Sequence, residues 1–312
     1  MLGMLGVSGC TGDQNYSGTA GVQINDMSFD YPSMTDDPNE VVSLAFELEN
    51  VGSKDMAGDG TYWIYGPAIN DDPDNVVTPD IWRTKGNLNG ILTKGDFYPP
   101  IEGVSGAVVY DSVDFNPPAI PAGMSDSYNF FTRVCYPYTT TSLFKLYSQS
   151  REERASSRKM VGSKQVSTDS AKRASAGPIQ IDLNTQKEVI IKSSGGGLNL
   201  YFTVTDVGGG FATNATDTLN CPIKATGANV PSTERGIVNV SVMVDGKDCL
   251  INEEKHGLAR IRGGTGNFNC RVAEEDMSSA ALDPNHEFTV VARADYKYWI
   301  DSQASIIVED SY

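Results

Sequence analysis

The sequence predicts an all-β protein, two tandem sandwiches of antiparallel sheets, on three observations. First, one strand pattern is present twice. Leu44, Phe46 and Leu48 alternate with Ala45, Glu47 and Glu49 before Asn50, Val51 and Gly52, and Leu200, Phe202 and Val204 do the same before Asp206, Val207 and Gly208, at an offset of 156 residues. Period-two alternation ending in Asn or Asp and then Gly marks a half-buried strand entering a turn. Second, two further echoes are collinear with it. Gly21–Asn25 is answered by Pro178–Asp182 at an offset of 157, and Arg133, Tyr136, Tyr138 and Ser142 by Arg293, Tyr296, Tyr298 and Ser302 at 160. Third, 31 Gly and 14 Tyr with abundant Thr, Ser and Val suit short strands joined by turns.

In chain order, residues 1–19 stand apart as a signal remnant, tether or donor segment. Val7, Ser8 and Gly9 ahead of Cys10 resemble the small-residue run before the lipid-bearing Cys of exported lipoproteins, which makes Cys10 the expected lipidation site. No basic residue precedes it, so the signal is incomplete. The first domain is expected at 20–149, with strands near 21–29, 41–49, 61–65, 107–114, 127–135 and 140–147. Its last two strands would form a hairpin about Tyr136 and Tyr138. Between Tyr65 and Ala107 runs a long excursion with no match in the second copy. Its Trp82, Phe97 and Tyr98 are candidate contact residues for a protein or glycan. Its Asp71, Asp72, Asp74 and Asn75 offer oxygen donors suited to Ca²⁺, and are equally ordinary turn residues. Asp36, Asp37 and Asn39 form a similar turn.

Residues 150–176 are basic and rich in Ser and Ala, with too few large apolar residues to bury a core, and read as a linker. The second domain follows at 177–312, with strands near 179–182, 188–192, 198–205, 238–244, 258–262, 268–272, 287–294 and 303–308. Tyr296 and Tyr298 would turn its final hairpin. In each copy the two tyrosines, two residues apart, point to one face and pack as a ladder or bond across the turn.

Five cysteines are present; setting Cys10 aside leaves four and three pairings. Cys249 follows the Asp245–Gly246 turn and Cys270 the Gly263–Gly266 turn, so Cys249–Cys270 is the preferred disulfide. Cys135 and Cys221 are then an interdomain bridge or two buried thiols. Sequons at Asn15, Asn214 and Asn239 fit a glycosylated exported protein.

A net charge of −16 and a pI near 4.5 disfavour a general nucleic-acid role. His256 and His286 have no second His or Cys at ligand spacing and read as surface loop residues. The Gly195–Gly197, Gly208–Gly210 and Gly263–Gly264 clusters lack the Gly-Lys-Ser/Thr ending of a phosphate loop. No cofactor is expected apart from the Ca²⁺ option, and no catalytic set emerges.

The repeated strand and turn from Leu44 to Gly52 and from Leu200 to Gly208 resembles the opening of CARDB-like and other immunoglobulin-like adhesion modules of prokaryotic surface proteins. With the lipoprotein-like start and the Val134–Tyr138 run, the whole resembles archaeal cell-surface proteins carrying two such modules. The resemblance implies immunoglobulin-like sandwiches at the cell surface and supplies no active site. The expected function is a non-enzymatic surface adhesion or binding protein, extracellular and lipid-anchored. The alternative is a subunit of an extracellular filament or surface layer that self-assembles by β-strand donation, with residues 1–18 as donor.

Overall fold

A computed structural model describes residues 21–37, 39–52, 60–66, 83–87, 109–115, 117, 119–147, 173–184, 197–214, 234–273 and 287–311. All the regular structure among them is strand. The first copy supplies β1 (Val22–Phe29), β2 (Ser33–Thr35), β3 (Val42–Asn50), β4 (Thr61–Tyr65), β5 (Arg83–Asn87), β6 (Val109–Phe115) and β7 (Ser125–Tyr147). Then come β8 (Arg173–Ala174), β9 (Ile179–Leu183), β10 (Leu198–Asp206), β11 (Phe211–Asn214), β12 (Ile237–Val244), β13 (Lys247–Asp248), β14 (His256–Arg260), β15 (Thr265–Val272) and β16 (Glu287–Glu309).

Three sheets result. Two are three-stranded and equivalent, β1-β3-β6 in the first copy and β9-β10-β15 in the second. The third has ten strands, with the path β13-β12-β16-β7-β4-β5; β14 lies beside β12, β11 and β2 beside β16, and β8 beside β7. Its centre is one antiparallel ladder in which β7 and β16, 23 residues each, pair without a break from Ser125–Glu309 to Tyr147–Glu287.

That ladder corrects the two expected hairpins. Tyr136 faces Tyr298 and Tyr138 faces Tyr296, across strands from different copies. A tight hairpin needs residues that accept positive φ. Residues 136–138 and 296–298 offer none, and all of them keep negative φ. Each copy therefore sends its last strand across to the other, about a pseudo-twofold axis through the Pro137–Lys297 pair. The repeat is real, but its copies share one sheet instead of closing as separate sandwiches.

Alternation along the two long strands builds the core. Even-numbered positions from Phe130 to Leu146 and from Phe288 to Tyr298 are turned inward, together with Ile306 and Val308. The first copy's half packs Phe29 edge-on to Phe130 at 5.1 Å, and Phe46 against Tyr62 at 5.6 Å. The second packs Phe144 on Phe202, which stacks on Phe268 at 4.9 Å. One continuous apolar cluster runs through both halves, so the two copies are held by a shared core.

A proline in a central strand needs a reason. Thr141 donates its N–H to Ser175 Oγ and accepts the Ser175 N–H, both on the outer edge of β7. Backbone groups alternate in direction along a strand, so the other odd-numbered residues also face that edge. Pro137 is one of them. It sits between the stretches flanked by β4 and β8, where no strand among the described residues needs its missing N–H.

The expected Cys249–Cys270 disulfide is present, with an S–S distance of 2.05 Å. Cys135 is also disulfide-bonded, which removes the buried-thiol option for it; its partner lies outside the described residues. The far end of the expected linker is part of the fold, since Arg173 and Ala174 form β8. Most of that linker and the expected strand at 188–192 lie outside the described residues.

Candidate functional site

The most organised polar chemistry lies on the pseudo-twofold axis. Tyr136, Tyr138, Tyr296 and Tyr298 form a two-by-two ladder on the core face, with cross-strand ring centroids 5.9 and 6.0 Å apart. All four are buried, and a buried hydroxyl needs a partner. Tyr136 accepts the Val22 N–H at 3.0 Å; its counterpart Tyr296 accepts the Ile179 N–H at 3.3 Å and shares a bond with Thr140 Oγ1. Tyr138 donates to the Ala176 carbonyl at 2.6 Å, whereas Tyr298 donates to Asp206 Oδ1 at 2.5 Å and accepts the Gly210 N–H.

The repeated Asn/Asp-Val-Gly turn is the other half of this arrangement. Asn50 Oδ1 accepts the Gly52 N–H at 3.0 Å and Asp206 Oδ1 the Gly208 N–H at 3.2 Å. Val51 and Val207 donate to the carbonyls of Gly21 and Pro178, just ahead of β1 and β9. A Cβ on Gly52 would lie 2.3 Å from the Tyr138 hydroxyl and one on Gly208 would lie 2.6 Å from that of Tyr298. Glycine is required there by close approach. Burial raises the pKa values of Tyr136, Tyr296 and Tyr298 above the ordinary tyrosine value. Burial also raises that of Asp206, opposed by its bonds from Tyr298 and Gly208. These hydroxyls are protonated hydrogen-bonding pegs that fix where β1 and β9 enter the fold.

The odd-numbered face of the large sheet carries a second cluster. Trp299 stacks on Trp63 at 5.8 Å and on Phe211 at 5.9 Å, and its Nε1 donates to Thr213 Oγ1. The Arg133 guanidinium lies 5.9 Å from the Trp299 ring and grips Asp301 through two 2.7 Å bonds. Arg235 lies 4.7 Å over Phe211. Both indoles are buried. The cluster therefore ties β4, β7, β16 and β11 together and does not present rings to a ligand.

Sequence reading misses this cluster because it places Arg133 and Asp301 in separate hairpins. One signal could have found it. The runs 125–147 and 287–309 contain no Gly, and nothing at 136–138 or 296–298 readily takes the positive φ of a tight hairpin.

Trp82, Phe97, Tyr98, Asp71, Asp72, Asp74, Asn75, Cys10, Asn15 and His286 lie outside the described residues. Asn214 ends β11, and Asn239 lies within β12, paired on both sides by Asp295 and Leu258. His256 is exposed at the start of β14, not in a loop. The Asp36–Asn39 turn has a structural use. Asp36 accepts the N–H groups of Ile120 at 2.8 Å and Ser311 at 3.0 Å, and the Ile120 bond is the main cause of its lowered pKa. Asp37 caps Asn39. Among the described residues no group of three His, Cys, Asp or Glu side chains is placed to hold a metal ion.

No protein-family model matches the chain, and no curated protein matches it.

Proposed function

We propose that the chain is a non-enzymatic binding or adhesion protein of the cell surface. Its double-layered β body would hold the segment with Trp82, Phe97 and Tyr98 toward a protein or glycan. The observation that carries this reading is the 23-pair ladder of β7 and β16, which joins both copies into one stiff platform. Two features support an exported setting. Cys249–Cys270 and Cys135 are in disulfides, which persist in oxidising compartments, and the chain carries a net charge of −16. Kinship with immunoglobulin-like surface modules and lipid attachment at Cys10 belong to the same proposal.

The test is binding of labelled full-length protein to its own cells, beside a variant in which residues 88–104 are replaced by a short Gly-Ser link. The expected result is at least a tenfold loss of binding, roughly the loss of one or two anchor residues, with the β-sheet circular dichroism unchanged. Undiminished binding by the variant would refute the proposal. A second reading, a filament subunit assembled by strand donation, is favoured by one feature: the outer edge of β16 is open from Ile300 to Ile306 among the described residues. It requires polymers of the intact chain in sedimentation.

A further inference from the structure

The open edge of β16 has a covered counterpart in the same molecule. On β16, β11 ends opposite Trp299 and β2 begins opposite Ile307. Between them, Asp301, Gln303 and Ser305 are the residues whose N–H and C=O point outward. This follows from Thr141, their equivalent on β7, and agrees with the outward Ile307 N–H that meets the Pro32 carbonyl. Ile300–Ile306 contains no Lys or Pro, and its pairing with β7 has no bulge. Among the described residues nothing covers or blunts it, and proteins ordinarily cover such an edge.

On β7 the equivalent stretch is covered by the residues just ahead of β9. Arg173 lies opposite Leu143 and Ala174 opposite Ser142, and Ser175 bonds Thr141. The first copy enters its own sheet in the same way. Val22 meets Tyr136 as Ile179 meets Tyr296, and Gly21 accepts from Val51 as Pro178 accepts from Val207. At this 157-residue offset the residues corresponding to Arg173, Ala174 and Ser175 are Tyr16, Ser17 and Gly18, which lie outside the described residues.

We propose that Tyr16–Gly18 of the same chain form a further strand on the open edge of β16, with Tyr16 opposite Gln303, Ser17 opposite Ser302 and Gly18 opposite Asp301. Tyr16 and Gln303 exchange backbone hydrogen bonds, and the Gly18 N–H donates to the Asp301 carbonyl. The occupant is the chain's own segment because Gly18 is joined to Gly21 by the same short link that joins Ser175 to Pro178. About 10 Å of chain reaches the molecule's own edge and leaves little spare. The inference rests on the surface-protein reading in one respect: it chooses between that reading's two forms. A filled edge leaves residues 1–15 as a tether and closes β16 to strand donation.

The test uses the full chain carrying S17C and S302C. Oxidation is expected to give an intrachain bridge between positions 17 and 302 in the monomer, identified by peptide mass spectrometry, at a yield well above that of the out-of-register pair S17C and S305C. A bridge between two chains would assign the edge to a second copy and overturn the proposal, as would equal yields or no bridge. Amide hydrogen exchange gives a second reading. Removal of residues 1–18 is expected to speed exchange at Gln303 by at least about tenfold, and an unchanged rate would contradict the proposal. Neither measurement depends on what the surface binds, so loss of cell adhesion and loss of this strand are separable results.

Discussion

The two copies solve one packing problem with different chemistry at one position. In the first, Asn50 caps the turn before Gly52, and Tyr138 is left to donate to the Ala176 carbonyl. In the second, Asp206 takes that place, and Tyr298 donates to the carboxylate instead. Backbone geometry is retained while the tyrosine proton changes destination. Within the fold, the turn and the tyrosine are fixed by close approach of ring to glycine, whereas the capping side chain needs only an acceptor oxygen. The second copy therefore carries a half-buried ionisable group at the axis where the first carries an amide.

Truncating equivalent tyrosines would test the equivalence most severely. Tyr136→Ala and Tyr296→Ala are each expected to cost about 3–5 kcal/mol, as for other large buried aromatics. Tyr296→Ala should cost more by about 0.5–1.5 kcal/mol, the net worth of the additional bond to Thr140. Urea unfolding of both variants measures this, and a much smaller cost for either would break the symmetry.

A constraint particular to the second copy comes next. The Cys249–Cys270 bridge closes a loop with a sequence separation of 21. Replacing both cysteines by Ala should lower stability by about 3 kcal/mol. Exchange protection should fall first at β13 to β15, and uniform loss across the molecule would argue against a local staple.

Asp206→Asn makes the second turn match the first. Burial raises the folded pKa of Asp206 above the ordinary aspartate value, so between the two values the folded state holds more protons than the unfolded. Stability from this group is therefore greatest at low pH and is lost as pH rises through the folded value. Asp36, with a lowered pKa, acts in the opposite sense: its contribution is lost as pH falls below the unfolded value. Unfolding from about pH 3 to about pH 7 should show that Asp206→Asn removes the downward component and leaves the acid-side loss. An unchanged profile would place the Asp206 carboxylate in full solvent contact.

The smallest expected effect is a gain. Thr132 Oγ1 is buried in β7 without a hydrogen-bond partner among the described residues. Thr132→Val keeps the shape, removes the unsatisfied group and should stabilise by about 1 kcal/mol. Thermal unfolding would show a higher midpoint, and a lower one would mean that the hydroxyl is satisfied in solution.

The strands and the repeat were legible because period-two burial is written directly into residues such as Leu44, Phe46 and Leu48. The Cys249–Cys270 pair was legible because both residues follow turn signals. The strand exchange was not, because Tyr136–Tyr138 looks the same whether residues 140–147 fold back or cross to the other copy. Only the lack of a residue able to take positive φ distinguishes the two, and an absence is easily passed over. Asp206 is legible as a turn residue, but its bond to Tyr298 spans 92 residues of sequence. The contact residues expected at Trp82, Phe97 and Tyr98 rest on sequence alone.

The exchange of strands between the copies is tested most directly by nuclear Overhauser contacts between α-protons. Arg133 and Asp301, and Thr141 and Arg293, are opposed in non-hydrogen-bonded positions of the ladder, where α-carbons approach to about 4.5 Å. Strong α-proton contacts in both pairs are the expected result. A contact between Arg133 and Thr141 in their place would mean that β7 folds back on itself at Pro137, and that the two copies close separately.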